Sequence, residues 1–261
     1  FLDRNMDYGI VYSTAVSANS TVFAACSFGG LRAYEMQDGQ YIQTAYIDNE
    51  GRTDCIAFGP NEIIITSNSD HTLTAYEYTA GSFIEIAVSE DTYSCLDFSV
   101  NLEGIIYACV EELGLTAYQI VENEIIRLSS FIADDELEKL VLIDDNTVVA
   151  YEEGRRTLHV FNFNGMNFEL SFIFEEIHQI TEIFVYDNNT LFVANNVRDV
   201  YSLHYNDNSL EIISLYEHES HIFDIKRGSN GAVFFAGLFN LSYMSYNDNM
   251  FELLYNHELS I

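Results

Sequence analysis

The 261 residues include 10 Lys and Arg against 41 Asp and Glu, which gives a formal net charge of -31. This charge repels the phosphates of nucleic acids and anionic membrane surfaces, so it excludes both as partners and favours cations, basic proteins or neutral sugars. Hydrophobic residues make up 48% of the chain and Pro occurs once, which excludes a low-complexity or collagen-like polypeptide and indicates a folded protein.

One short motif recurs six times along the chain. It reads GLRAY at 30–34, TLTAY at 72–76 and GLTAY at 114–118, and weaker versions end at Phe161, Tyr205 and Tyr246. The aromatic residues that close the motifs are 42, 42, 43, 44 and 41 residues apart. A fixed period of this length indicates a repeat architecture. We predict that the six rings, those of Tyr34, Tyr76, Tyr118, Phe161, Tyr205 and Tyr246, occupy equivalent positions.

Each repeat contains four short runs rich in β-branched and aromatic residues, separated by turn residues, which predicts four strands. In the first three repeats the predicted strands are Gly9–Val16, Thr21–Cys26, Leu31–Met36 and Tyr41–Ile47, then Thr53–Phe58, Glu62–Thr66, Leu73–Tyr78 and Phe83–Val88, then Tyr93–Phe98, Gly104–Cys109, Leu115–Ile120 and Ile125–Ile132. The fourth to sixth repeats begin near Leu137, Ile180 and His221.

A two-residue turn separates the third and fourth predicted strands of every repeat. Gly, Asn and Asp, which tolerate a positive φ, dominate these turns, and two-residue β-hairpins need that conformation. The pattern therefore predicts antiparallel four-stranded meanders. The turn pairs are Asp38-Gly39, Ala80-Gly81, Glu122-Asn123, Asn164-Gly165, Asp207-Asn208 and Asp248-Asn249.

Four-stranded units of about 42 residues that fill the chain resemble the blades of a β-propeller. The chain has no Trp, which departs from the strict WD40 pattern. Gly-Leu-x-x-Tyr after a strand ending in Ala-Cys is similar to the LVIVD-type repeats of secreted and surface propellers. The resemblance implies an all-β, six-bladed β-propeller in a single domain, with a solenoid as the structural alternative. The blades are expected at about 1–48, 49–90, 91–134, 135–176, 177–219 and 220–261.

Acidic residues concentrate in the connections that share one face of a propeller. Clustered carboxylates are oxygen ligands suited to Ca²⁺, so Glu50, Asp91 and Asp135 are candidate calcium ligands. No Asp-x-Asp-x-Asp-Gly spacing accompanies them. An ordinary solvated acidic face is therefore the alternative interpretation, and calcium is the one cofactor considered.

Three histidines fall in connections between predicted repeats, beside glutamates. His178, His218 and His221 could combine with those carboxylates around a transition metal, but they lack the usual ligand spacings. We interpret them as surface histidines.

Four cysteines lie in predicted strands. An even number permits disulfides, and the first pairings expected are Cys26–Cys55 between repeats and Cys95–Cys109 within one repeat. Three connectivities are possible. Plain apolar packing is the alternative, because cysteine is among the most buried residue types.

Several features favour an extracellular or cell-surface protein, with an acidic cytoplasmic scaffold as the alternative. Lysine occurs only at Lys139 and Lys226, and the chain opens at Phe1 rather than Met, as a processed secreted chain does. Glycosylation sequons begin at Asn19, Asn188 and Asn240, a number that chance alone would produce. No apolar run approaches the roughly 20 residues of a membrane helix, so we expect no membrane insertion.

The sequence has no Gly-x-Ser-x-Gly, no phosphate-binding glycine loop and no His-Glu-x-x-His. We therefore expect a non-enzymatic interaction or structural building module without a resident cofactor. Its expected partners are other proteins or copies of itself, bound through blade edges. The alternative is a calcium-dependent, lactonase-like hydrolase with its site in the acidic mouth, because six-bladed propellers include such enzymes.

Overall fold

The computed structural model describes residues 10–26, 29–48, 52–68, 73–134, 136–152, 154–206, 209–228 and 231–258. These residues form 24 β-strands, one 3-10 turn at Pro60–Glu62 and no α-helix. The all-β prediction is confirmed. Among the described residues, none of the helical structure is long and apolar enough to cross a membrane.

The chain divides into two compact units, which are described separately. The first unit contains the residues up to Glu138 together with Gly165–Phe168. Its strands form three four-stranded antiparallel meanders, called the first, second and third sheets. They are β1 Val11–Val16, β2 Val22–Cys26, β3 Gly30–Gln37 and β4 Gln40–Ile47; β5 Thr53–Phe58, β6 Ile64–Asn68, β7 Thr74–Thr79 and β8 Ser82–Ser89; β9 Cys95–Val100, β10 Ile105–Val110, β11 Gly114–Val121 and β12 Glu124–Phe131.

The second unit contains Lys139–Asn164 and the residues from Glu169 onward. Its strands form the fourth, fifth and sixth sheets, again in the order of the sequence. They are β13 Lys139–Leu142, β14 Thr147–Tyr151, β15 Leu158–Phe163 and β16 Phe168–Phe174; β17 Ile180–Asp187, β18 Thr190–Asn195, β19 Asp199–Asn206 and β20 Ser209–Glu217; β21 Ile222–Arg227, β22 Val233–Gly237, β23 Asn240–Asn247 and β24 Met250–Glu258.

Most predicted strands lie within a residue or two of the observed ones. One two-residue difference is at the start of the second strand of the second repeat, which was predicted from Glu62. There Asn61 and Glu62 have φ of 59° and 60°, outside the extended conformation of a strand interior, and β6 begins at Ile64.

The described two-residue hairpins form where they were predicted, except in the fourth sheet, where the four residues 164–167 connect β15 to β16 instead of Asn164-Gly165 alone. Asp38 and Gly39 have φ of 49° and 81°, and Asp248 and Asn249 have φ of 48° and 63°. Two consecutive positive φ values define the turn whose twist matches a β-hairpin. Asp207-Asn208 lies outside the described residues.

Neighbouring sheets pack through apolar layers within each unit. The six aromatic residues of the repeated motif all lie on the third strand of their sheets. Tyr76 belongs to the layer against the first sheet and Tyr118 to the layer against the second. Tyr205 belongs to the layer against the fourth sheet, and Tyr246 packs on the layer against the fifth. These four rings are therefore equivalent, as predicted.

The second and third sheets are joined into one eight-stranded sheet. Strand β8 pairs in parallel with β12, through Val88 with Glu124 and Ser89 with Ile125. Strand β5 also contacts β9, and these are the first strands of the same two sheets. The two sheets are thus connected at both their first and their last strands.

Candidate functional site

Only one of the three candidate calcium ligands lies in the described part of the chain. The Asp91 carboxylate accepts a hydrogen bond of 3.0 Å from the Tyr118 hydroxyl, and Arg127 Nε lies 3.8 Å away. Burial and the neighbouring Asp91 raise the pKa of Tyr118 far above its ordinary value, so the phenol stays protonated and donates. Asp91, in the connection between β8 and β9, is therefore engaged by side chains of the third sheet. Glu50 and Asp135 lie outside the described residues.

The histidines do not form a metal site. His178 and His221 are exposed, but His218 is buried, so the surface interpretation is wrong for His218. Its Nδ1 lies 2.8 Å from the Ser220 carbonyl oxygen and its Nε2 lies 2.8 Å from Ser242 Oγ. Among the described residues, no group of three or more His, Cys, Asp or Glu side chains is arranged to hold a metal ion.

The buried His218–Ser242 pair has a structural role. Ser242 Oγ donates onward to Asn256 Oδ1 at 3.0 Å, and both His218 and Ser242 are almost wholly inaccessible. A nucleophilic serine must reach its substrate, which a side chain closed inside a sheet does not. The network satisfies buried polar groups and joins β23 to the segment before β21.

None of the four cysteines is in a disulfide. Cys26 alternates on β2 with Phe23 and Ala25, which face the second sheet, so its thiol points to the opposite side. Cys109 likewise alternates with Ala108 and Val110, which face the second sheet from β10. Neither predicted pairing, Cys26–Cys55 or Cys95–Cys109, is therefore present. The structure instead brings Cys55 and Cys95 into the same apolar layer.

A cavity of about 400 Å³ lies beside these two thiols, between the second and third sheets. Arg52 at its rim pairs with Asp54 at 2.6 Å and lies over the Tyr12 ring at 5.5 Å. The cavity combines two thiols with one cation and several polar groups. Its lining residues are Tyr12, Arg52, Asp54, Cys55, Asn68, Ser94, Cys95, Leu96 and Glu111.

The three sequons differ in accessibility. Asn19 lies in the exposed turn between β1 and β2, and Asn188 in the equivalent exposed turn between β17 and β18. Asn240 is buried, and its Oδ1 accepts a hydrogen bond of 2.6 Å from Ser220 Oγ. A glycan at Asn240 would require the sixth sheet to open.

The second unit carries a row of charges on its first strands that the sequence did not reveal. Lys139 Nζ on β13 lies 3.9 Å from Glu182 Oε2 on β17, and Lys226 Nζ pairs with Asp224 on β21 at 2.8 Å. Burial raises the pKa of Glu182 to about 7, although Lys139 opposes this effect. Glu182 is therefore expected to titrate near neutral pH.

The fifth and sixth sheets differ on their equivalent faces. In the fifth sheet Phe192, Ala194 and Val200 are fully buried in the layer against the sixth sheet. By strand register their equivalents in the sixth sheet are Phe234, Ala236 and Leu241. Leu241 is 39% exposed, whereas Val200 is fully buried. The sixth sheet thus presents an apolar face to solvent.

We call this surface the open face, defined by Phe234, Leu241, Tyr243 and Tyr255. The rings of Phe234 and Tyr243 contact each other with centroids 5.1 Å apart, and Tyr255 is 61% exposed. Register places Tyr255 opposite Tyr243 and Phe234. Asp224 and Lys226, which pair with the same part of β22, neutralise each other. The four residues that define the open face carry no charge, on a protein of net charge -31.

The comparisons with solved structures confirm the β-propeller class. The chain is similar to the WD40 β-propeller domain of Doa1, with a TM-score of 0.72, 15% identity and coverage of 97% of this chain and 83% of that one. It is also similar to a proposed 6-phosphogluconolactonase from Bacteroides fragilis, with a TM-score of 0.76, 12% identity and coverage of 95% and 84%. A chain of the mitotic checkpoint complex matches with a TM-score of 0.73, 9% identity and coverage of 98% and 81%.

These identities show the fold alone, because propellers of one architecture carry unrelated functions. No family model and no curated protein matches the sequence. The chain is therefore a β-propeller protein whose function has to be argued from its own surface.

Proposed function

We propose that this chain is a protein-binding β-propeller module and that the open face of the sixth sheet, with the adjoining edge of β24, is its contact surface. The observation that carries the proposal is the contrast between buried Val200 and exposed Leu241 at equivalent positions. A contiguous exposed apolar surface indicates an interaction site, whereas single exposed apolar residues are normal.

The aromatic content of the open face supports this role. Tyr and Phe are enriched at the centres of protein interfaces because they contribute large, rigid contact areas. Strand β24 is also the last strand of its sheet, so one row of its backbone N–H and C=O groups faces outward. A partner strand can pair with such an edge while its side chains meet the apolar face.

Electrostatics further define the partner. With a net charge of -31, two copies repel each other unless their contact is locally neutral, as the open face is. Binding at this face should therefore strengthen as salt screens the repulsion between acidic proteins. A basic partner that docks on the acidic loops would show the opposite dependence.

A site-specific photo-crosslinker at Leu254, which is 49% exposed beside Tyr255, tests the proposal in the producing cells. We expect one covalent adduct of defined mass, whose yield rises with salt in the purified system. The L241D variant should reduce the yield at least about 30-fold, because an apolar anchor at an interface contributes roughly 2 kcal/mol or more.

The matched control is V197D, which adds the same charge at a 60% exposed residue in the turn between β18 and β19. It should leave the adduct unchanged. An adduct of twice the mass of the chain identifies a second copy as the partner, and another mass identifies a different protein. No adduct, or equal loss in L241D and V197D, contradicts the proposal.

A calcium-dependent hydrolase is the second candidate, favoured by the likeness to proposed 6-phosphogluconolactonases. Two observations oppose this candidate. The Asp91 carboxylate already accepts a hydrogen bond from the Tyr118 hydroxyl. A chain of net charge -31 also repels a phosphorylated substrate. Calcium titration by calorimetry, followed by a lactone hydrolysis assay with and without chelator, tests this candidate. Calcium-dependent turnover would establish the hydrolase.

We also propose an extracellular or surface location, supported by the exposed turns that carry Asn19 and Asn188. A closed six-bladed ring remains a prediction from the sequence. It would leave no exposed apolar face on the sixth sheet, so the absence of an adduct would favour ring closure over this proposal.

A further inference from the structure

Cys55 and Cys95 lie together between the second and third sheets. Cys55 is on β5 and Cys95 opens β9, and these two strands contact each other. Both side chains belong to one apolar layer and line the same cavity of about 400 Å³. Cys55 Sγ donates to the Leu96 carbonyl oxygen at 3.5 Å, which brings the thiol to the residue next to Cys95.

The two other cysteines face away from this pair. Cys26 points to the side of the first sheet opposite the second sheet, and Cys109 to the side of the third sheet opposite Cys95. A disulfide needs Cβ atoms that face each other across a few ångströms. Among the four cysteines, Cys55 and Cys95 are the two that share one apolar layer and one cavity.

The two thiols differ in accessibility. Cys55 is half-buried at the cavity wall, whereas Cys95 is almost fully buried. Burial, with smaller effects from Cys55, Asp97 and Cys109, holds the pKa of Cys95 well above its ordinary value. A reagent that enters the cavity past Arg52 therefore meets Cys55 as the more exposed thiol.

We propose that Cys55 and Cys95 form a site of reversible oxidation, in which a hydroperoxide closes a disulfide between the second and third sheets. The proposal is independent of the protein-binding function, because the site lies in the first unit and the open face in the second.

The oxidation takes place in two steps. The Cys55 thiolate attacks the outer oxygen of the hydroperoxide, so that an S–O bond forms, the O–O bond breaks and the alcohol, or water from hydrogen peroxide, leaves with a proton. Cys95 then attacks the sulfenic sulfur of Cys55. The S–S bond forms, the S–O bond breaks and water leaves. The two thiols lose two electrons and the peroxide gains them, and a dithiol reductant reverses the change.

Peptide mapping by mass spectrometry of the folded, full chain after treatment with hydrogen peroxide tests the site. We expect one linked peptide pair containing Cys55 and Cys95, which disappears on reduction. The C26S and C109S variants are the matched controls and should retain the link. The C55S variant should lose it. The C95S variant should also lose the link but should accumulate a sulfenic acid at Cys55 that dimedone traps.

A second measurement does not depend on the rate of oxidation. Phenylarsine oxide bridges two thiols that lie within reach of each other, so one equivalent should protect both Cys55 and Cys95 of the wild-type chain from alkylation. The protection should be lost in C55S and kept in C26S. Linkage to Cys26 or Cys109, or the absence of both the disulfide and the arsenical bridge in folded protein, overturns the proposal.

Discussion

Replacing Gly114 with Ala tests the packing of the third sheet. Gly114 opens β11 with a φ of +71°, and a Cβ built on it would lie 2.3 Å from the Phe131 carbonyl oxygen on β12. The left-handed conformation costs an L-residue about 1–2 kcal/mol. Forcing backbone away from the new methyl group adds roughly 1–3 kcal/mol. We therefore expect Gly114→Ala to lower the free energy of unfolding by about 2–5 kcal/mol.

Gly39→Ala is the matched control. Gly39 has a φ of +81° in the β3–β4 hairpin, and nothing lies within 4 Å of its added Cβ. This variant carries only the conformational cost, about 1–2 kcal/mol. Urea unfolding followed by circular dichroism measures both, and at a slope of roughly 3 kcal/mol per molar the Gly114 variant should lose about 1 M in midpoint. Equal shifts in the two variants would refute the predicted clash.

Three further predictions concern titration, glycosylation and metal dependence. The pKa of Glu182 near 7 exceeds the roughly 4.3 of an exposed Glu, so its contribution to stability is complete below about pH 4 and is lost as the pH rises through 7. The free energy of unfolding of E182Q, measured by urea titration, should match that of the wild type at pH 4.5 and exceed it by at most about 3 kcal/mol at pH 8.5; parallel pH dependences of the two proteins would contradict this. After secretion from eukaryotic cells, glycopeptide mapping should find glycans at Asn19 and Asn188 and an unmodified Asn240. Thermal melts should change little in chelator, because the apolar layers hold the sheets together; a fall of more than about 10 °C would indicate a structural metal.

The period of the chain was enough to predict its strands and hairpins. The ring of Tyr76 or Tyr118 recurs at one place in each repeat because every pair of neighbouring sheets must bury an equivalent layer. The turn at Asp38-Gly39 was predictable because only a few residues tolerate two positive φ values. The repeated aromatic residue and the turn residues are both local sequence patterns, so one sequence is enough to predict them.

The cysteine pairing was wrong for a physical reason that the sequence does not contain. In a regular strand alternate residues point to the same side, so Cys95 would lie on the same side of β9 as Asp97. Asp97 pairs with Cys109 on the neighbouring strand. A register shift next to Cys95 pairs it with Val110 instead and turns its side chain to the other face. The ion pair of Lys139 with Glu182 was missed because its members are 43 residues apart and meet only when two sheets pack.

The parallel pairing of β8 with β12 has a consequence for how the first unit opens. Backbone hydrogen bonds at Val88 and Ser89 connect two meanders whose first strands are also in contact. Separating the second from the third sheet therefore breaks a ladder as well as an apolar layer. Slow amide hydrogen exchange should consequently be shared across β5–β12 as one cooperative unit, with β1–β4 exchanging at a lower opening free energy.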